Sequence, residues 1–303
     1  MKELNYEKVF NTLVEETANY VTSNGLKAMV LGISGGIDST VVAAICHEVS
    51  KKTGIPLIGR SLPIKNKNDE FATSVHVGEA FCNEFSVYRL ERSYRAALFD
   101  ACADAGDVNM ANSYYLDELE EMPSRTPIAN GNLQARCRMM YLYDIASRHK
   151  GLVMSTDNQT EYQLGFWTIH GDVGDFDPIQ DLWKTEVYRL ARWICDYYTM
   201  MSDGEDVDKI QAIRESVALT PTDGLGISNS DLEQIGARTY YDVDRVLQTL
   251  ICKASPENDK LQDSLEQELG REVVHKIIKR HTASEFKRKK APIYITREKY
   301  END

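Results

Sequence analysis

Apolar positions over the first 22 residues recur at helical spacing. Tyr6, Val9, Phe10, Leu13, Val14, Thr17, Tyr20 and Val21 share one stripe, which predicts an amphipathic helix over residues 5–22 that Gly25 ends. The pattern then shortens. AMVLGIS (residues 28–34) predicts a brief buried strand, and the chain turns helical again from Asp38 to about Lys52. PLIGRSL (56–62) predicts a second strand, a helix follows near 68–83, and SVYRL (86–90) predicts a third strand. Helices are expected over about 93–104 and 129–149, with GLVMSTD (151–157) as a fourth strand. Strands that are apolar throughout and alternate with helices predict an α/β fold with a Rossmann-like parallel β-sheet, helices on both faces. Beyond residue 183 only helical periodicity appears, over about 183–198, 206–217, 229–252 and 257–280, which predicts a helical C-terminal third (183–303).

Two segments break the rhythm. Residues 105–127 are a polar, acidic insertion containing DELEEMPSR, expected as a surface loop or short helix. Residues 165–182, GFWTIHGDVGDFDPIQD and its flanks, mix Gly and Asp with aromatics; a loop of that length inside a domain is more often functional than idle. At 303 residues, with 42% hydrophobic and 27% charged side chains, the composition is globular and one domain over 1–303 is expected. Acidic groups outnumber basic ones 47 to 35, a net charge of −12. Such a field opposes nonspecific binding to nucleic acid or to an anionic membrane, so neither is expected as a partner. The six cysteines lie at least 20 positions apart and form no zinc-type pair. The N-terminus lacks an apolar signal core. A cytoplasmic protein with reduced thiols is expected.

Gly32-Ile33-Ser34-Gly35-Gly36-Ile37-Asp38-Ser39-Thr40 sits between the first strand and its helix. That turn lies at the carboxyl edge of a parallel sheet, where such sheets bind ligands. Consecutive glycines permit close backbone approach, and the N–H groups of the helix start suit an anion. The Walker pattern fails for want of a lysine, and the dinucleotide GxGxxG spacing is also absent. An aspartate inside the loop would repel phosphate unless a divalent cation bridges the two. Further along, single residues read two ways. Arg136 and Arg138 can be solvated helix charges, Glu161 a first-turn acid and Asp172 a turn residue beside Gly171. Lys184 stands at a helix start, an unfavourable end for a cation without a compensating anion.

SGGxDS resembles the pyrophosphate loop of enzymes that split ATP between its α and β phosphates and adenylate a carbonyl or carboxylate oxygen. The rest of the chain narrows the likeness. Gly131-Asn132 through Met140, Ser155-Thr156-Asp157, Glu161, Gly165-Phe166, Gly171-Asp172, Pro178, Lys184-Thr185-Glu186-Val187, Pro221-Thr222 and Ser284-Glu285-Phe286-Lys287-Arg288 occur in the order and spacing of ammonia-dependent NAD synthetase. The resemblance runs from about residue 5 to 290. It implies ATP-dependent amidation of deamido-NAD with ammonia to NAD through an acyl adenylate, releasing AMP and pyrophosphate, and an enzyme that is homodimeric. It also implies that Asp38 and Glu161 bind Mg²⁺, and that Gly32, Ile33, Ser34, Gly35, Gly36, Ile37, Asp38, Ser39, Thr156, Lys184 and Thr222 contact ATP. Arg136, Tyr143, Phe166 and Lys287 would meet deamido-NAD, and Asp172 would stand at the ammonia position with Asp38 and Lys184 as the other catalytic groups.

The chain departs from the family pattern on the deamido-NAD side. Ile169 stands where lysine is common, leaving His170 as a substitute contact, the GDVGDFDP segment is one residue shorter, and Phe286 replaces a histidine. Only 33 residues precede Ser34, so ammonia rather than glutamine is the expected nitrogen source. Two other readings stay open: another adenylating enzyme with the same loop, and a non-catalytic ATP-binding module.

Overall fold

Strand β1 (Met29–Gly32) is buried from Met29 through Leu31 and lies between β2 (Leu57–Ser61) and β4 (Leu152–Val153) in the computed structural model. The structure describes residues 4–66, 68–201, 204–220, 230–251 and 257–289. With β3 (Glu84–Val87) outside β2, the four described strands run parallel in the order β3-β2-β1-β4. The chain builds outward from β1 to β3, then crosses back to place β4 on the other side of β1. This reversal opens a crevice at the carboxyl end of β1, where ligands sit in open α/β sheets.

One face of the sheet is covered by α1 (Tyr6–Ser23), α2 (Ile37–Thr53), α8 (Lys184–Met201) and α9 (Val207–Ala218). Phe10, Val21, Ile45, Val49, Leu190 and Ile194 meet there with Met29 and Leu31. The other face holds α4 (Glu91–Asp104) and α6 (Pro127–His149), whose Tyr94, Leu98, Leu142 and Ile145 pack on Val30, Ile58 and Val153. β1 sends alternate side chains to the two clusters, as a strand buried on both faces must. α3 (Asn68–Phe81) follows β2, and α7 (Gln159–Leu164) follows β4.

Four expectations need correction. The third strand lies at 84–87 rather than 86–90 and is not apolar throughout: Glu84, Ser86 and Val87 are exposed, because this is the edge of the sheet. The fourth strand shrinks to two residues, extended only by a parallel bridge from Met154 to Phe176. Residues 229–252 do not form one helix but α10 (Asp231–Ile235) and α11 (Tyr240–Ile251), parted at Gly236 with φ +75°. Likewise α12 (Glu257–Leu269) and α13 (Arg271–Ala283) part at Gly270, φ +90°. Glycine adopts that left-handed backbone without steric cost, and it ends a helix there. The acidic insertion contains α5 (Leu116–Glu120), anchored by the buried Leu119 and by ion pairs from Lys65 to Asp117 and Glu120. α7, α10, α11 and α13 share a third apolar cluster built on Leu164, Val243, Leu247 and Ile277.

Candidate functional site

The turn after β1 is folded on its own hydroxyls. Gly36 N–H donates to Ser34 Oγ at 3.2 Å, the Ser34 and Ser39 hydroxyls lie 3.0 Å apart, and the Ser39 and Thr40 hydroxyls donate to the Gly36 carbonyl. Gly35 has φ +88°, and a Cβ there would lie 2.5 Å from the Glu70 carbonyl oxygen. Only glycine fits. Gly36 caps α2 without a side-chain acceptor, so the first-turn N–H groups remain available to an anion.

Asp38, in that first turn, receives two donors from other parts of the chain. Asn158 Nδ2 donates to Oδ1 at 2.9 Å, and Lys184 Nζ donates to Oδ2. Lys184 Nζ also donates to Glu161 Oε1 at 3.0 Å and lies 5.6 Å from the centre of the Tyr240 ring. Its side chain is 3% exposed. Burial pushes such an ammonium toward neutrality, but Asp38 and Glu161 outweigh it and hold Lys184 well above the usual lysine range. Asn158 and Glu161 form a capping box at the start of α7: Asn158 Oδ1 accepts from Glu161 N–H at 3.1 Å, while Glu161 Oε2 accepts from Asn158 N–H at 3.3 Å. One carboxylate oxygen of Glu161 thus holds the helix start and the other faces Lys184.

Two cavities meet at the loop, both lined by Ser34 and Asn66. One, of about 240 Å³, is bounded by Gly32, Ile33, Arg60, Arg138, Thr156 and Asp172. The other, of about 110 Å³, is bounded by Gly36, Ile37, Asp38, Glu161, Lys184 and Thr220. The structure therefore brings Gly32, Ile33, Ser34, Gly35, Gly36, Ile37, Asp38, Ser39, Thr156, Glu161 and Lys184 to one place. Thr222 lies outside the described residues.

Arg136, Tyr143, Phe166, His170 and Lys287 gather elsewhere, around the loop after α7. Lys287 Nζ donates to the carbonyls of Gly165, at 2.7 Å, and Trp167. Arg136 Nη2 donates to the Ile169 carbonyl at 3.1 Å. The Arg280 guanidinium stands 3.6 Å over the Phe166 ring. Tyr143 donates to Asp175 Oδ1 at 2.9 Å, and Asp175 Oδ2 accepts from Val153 N–H. His170 is exposed at φ +54°. Asp172 bridges the two regions: its Oδ1 accepts from Thr168 N–H at 2.7 Å, and it lines the larger cavity. Burial pushes its carboxyl up to about 6 against the pull of Thr168 and Lys287.

Sequence reasoning missed several residues here. Arg138, for which a solvated helix charge was one of two readings, donates to the Leu62 carbonyl and to Asn66 Oδ1 and walls the larger cavity with Arg60. Asn158 was legible from its spacing of three to Glu161, a helix-start signature. Asp157 entered only as part of the Ser155-Thr156-Asp157 motif, and Asp177 was given no role. Both are held up by burial, Asp177 to about 7, and Asp177 Oδ2 is buried without a hydrogen-bond partner.

The first strand of a parallel sheet thus ends in a glycine- and hydroxyl-lined turn, faced by an acidic pair and a buried lysine, an arrangement suited to an anion at the sheet's carboxyl edge. The family model for NAD synthase matches residues 9–291, and the chain belongs to that family. It is 28% identical over 288 residues to the NH(3)-dependent NAD(+) synthetase of Fusobacterium nucleatum, covering 95% of each. It is also 28% identical to the glutamine-dependent NAD(+) synthetase of Aquifex aeolicus, where 95% of this chain spans 45% of the relative's length. Among solved structures, an NMN synthetase from Francisella tularensis has a TM-score of 0.69 at 23% identity, over 96% of this chain and 99% of that one, which speaks for the fold. No helix among the described residues is long and apolar enough to cross a membrane.

Proposed function

We propose that this chain amidates deamido-NAD to NAD, using ATP and ammonia and releasing AMP and pyrophosphate. The nicotinate carboxylate is a poor electrophile. Attack of its oxygen on the α-phosphorus of ATP, with pyrophosphate leaving, gives an acyl adenylate; ammonia then attacks the acyl carbon and AMP leaves. Two anions must meet for the first step, so cationic and N–H groups have to face the phosphates. The observation that carries the reading is that Lys184 joins Asp38 and Glu161 beside the start of α2, which has no side-chain cap.

In this reading the smaller cavity takes the pyrophosphate and the larger one the adenosine. Lys184 holds the phosphates, and Thr156 and Ser34 border the α-phosphate. Asp38 and Glu161 are the residues that would hold Mg²⁺. They fit it: two carboxylates with phosphate oxygens make a set of hard oxygen donors, and Mg²⁺ is ordinarily held by one or two carboxylates plus substrate phosphates. Bound there, the ion neutralises phosphate charge. Arg136, Tyr143, Phe166, His170 and Lys287 border the deamido-NAD, and Asp172 orients ammonia or takes up its proton. On α6, Arg136, Met140 and Tyr143 form an exposed row at i, i+4 and i+7 whose apolar members support a homodimer across this face. The five described cysteines are free thiols, which supports a cytoplasmic site.

The test is AMP release from purified protein with ATP, Mg²⁺ and an ammonium salt. Release that requires deamido-NAD is expected, with glutamine a poor replacement for ammonium. Nicotinate mononucleotide, which presents the same nicotinate carboxylate without the adenylate half, is the rival acid. Faster turnover of the mononucleotide would reassign the substrate, and release independent of either acid would end the proposal.

A further inference from the structure

The first turns of α7 and α8 carry Glu161 and Lys184, and both are fastened to one carboxylate far along the chain. Asp244, on α11, is 0% exposed. Its Oδ1 accepts from Thr160 Oγ1 at 2.6 Å; its Oδ2 accepts from Thr185 N–H at 3.0 Å and from Thr185 Oγ1 at 2.7 Å. Thr160 Oγ1 in turn accepts the Lys184 backbone N–H at 2.9 Å. Thr160 is the residue before Glu161, and Thr185 the residue after Lys184. Every bond in this set therefore fixes a backbone one step from a side chain that faces Asp38.

A buried carboxylate is costly unless its oxygens are hydrogen-bonded, and both oxygens of this one accept, Oδ1 from one donor and Oδ2 from two. It also lies at the N-terminus of α8, where unbonded N–H groups and the helix dipole favour an anion. Asp244 thereby supplies the compensation that lets a lysine occupy the first residue of a helix. We propose that Asp244 is a positioning residue, which sets the Lys184 ammonium against the phosphate-binding turn by clamping the starts of α7 and α8 together. The role lies in the clamp geometry: displacement of a binding group by about 1 Å can cost a hundredfold where it acts. The inference rests on the reading of Lys184 as a phosphate contact.

The experiment is a double-mutant cycle read on the dissociation constant of Mg²⁺-bound α,β-methylene-ATP, a probe that needs no turnover. Lys184→Ala is expected to weaken binding about 30-fold, the scale of a hydrogen bond to a charged group. Asp244→Ala is expected to weaken it about tenfold in the wild-type background and less than twofold beside Lys184→Ala, since the clamp acts through the lysine. Asp244→Asn keeps an oxygen for both Thr185 donors and is expected to retain binding within about threefold, a rescue that distinguishes geometry from charge. If Asp244→Ala does not fold, Thr185→Val, which removes one clamp donor at constant volume, carries the same cycle. Equal losses in both backgrounds would overturn the positioning role while leaving Lys184 in place. No effect of Lys184→Ala itself would overturn the phosphate reading of Lys184 and the inference with it.

Discussion

The phosphate side and the loop side of this site are built in opposite ways. Around Asp38, side chains face side chains: Asn158 at the start of α7 and Lys184 at the start of α8 both donate to its carboxylate, and Lys184 also donates to Glu161, beside a cavity. Around residues 165–169, cations face the backbone. Lys287 and Arg136 spend their donors on the carbonyls of Gly165, Trp167 and Ile169, and Arg280 covers Phe166. The first arrangement holds reactive groups in fixed mutual geometry. The second holds a loop in place and leaves its side chains to vary.

The largest effect should come from the phosphate side. Asp38→Asn is expected to cut turnover at least about a hundredfold with little change in melting temperature, as loss of one electrostatic stabiliser does; near-normal turnover at saturating Mg²⁺ would remove Asp38 from the chemistry. Lys184→Ala is expected to slow pyrophosphate release, measured without ammonia, by about 30-fold while leaving deamido-NAD binding nearly unchanged. On the loop side, Lys287→Ala should raise the KM for deamido-NAD about tenfold and accelerate amide hydrogen exchange over 165–169. A raised KM with unchanged exchange would show that Lys287 touches substrate rather than the loop, and would break the contrast.

Two smaller effects concern buried acids. Burial holds the Asp172 carboxyl up near 6, so a role in taking up the ammonia proton requires its ionised form. Rates plotted against free NH₃, rather than total ammonium, should rise through about pH 6 and then level, and Asp172→Asn should abolish the rise. Asp177 affects stability alone. Its folded carboxyl, pushed up to about 7 by burial, keeps a proton that the unfolded chain releases near pH 4. Stability is therefore lost as pH rises between those values and stays lowered above them. Asp177→Asn should raise the melting temperature by about 2–4 °C at pH 8 and hardly at all at pH 4, in thermal melts at the two values.

The same contrast explains what was legible in the sequence. The turn could be read because its chemistry is contiguous: Gly32 through Thr40 carry glycines, hydroxyls and an aspartate in nine positions. β1 and β2 could be read because strands buried on both faces are apolar at every position. β3 was misplaced by two residues because an edge strand loses that signature. Gly236 and Gly270 were overlooked as breaks because the apolar spacing continues across them. Asp244 was invisible for a different reason: one aspartate in an amphipathic helix looks like its solvent face until the fold buries it under Thr160 and Thr185.

The separation of the groups around Asp38 also sets an order of events during synthesis. Asp38 and Asn158 stand 120 positions apart, Asp38 and Lys184 146, and Thr40 and its hydroxyl partner Ser216 176. At roughly 5–20 residues per second, the nucleotide loop leaves the ribosome about 7–30 seconds before the lysine that neutralises its aspartate. β1 must likewise wait for β4, while β2 and β3 are already at hand. A nascent chain can therefore assemble three of the four described strands and all of its loop without a working site, and the lysine arrives only with α8, which joins α1 and α2 on one face of the sheet. Charge neutralisation at Asp38 is thus a nonlocal step that waits on a residue 146 positions further along the chain.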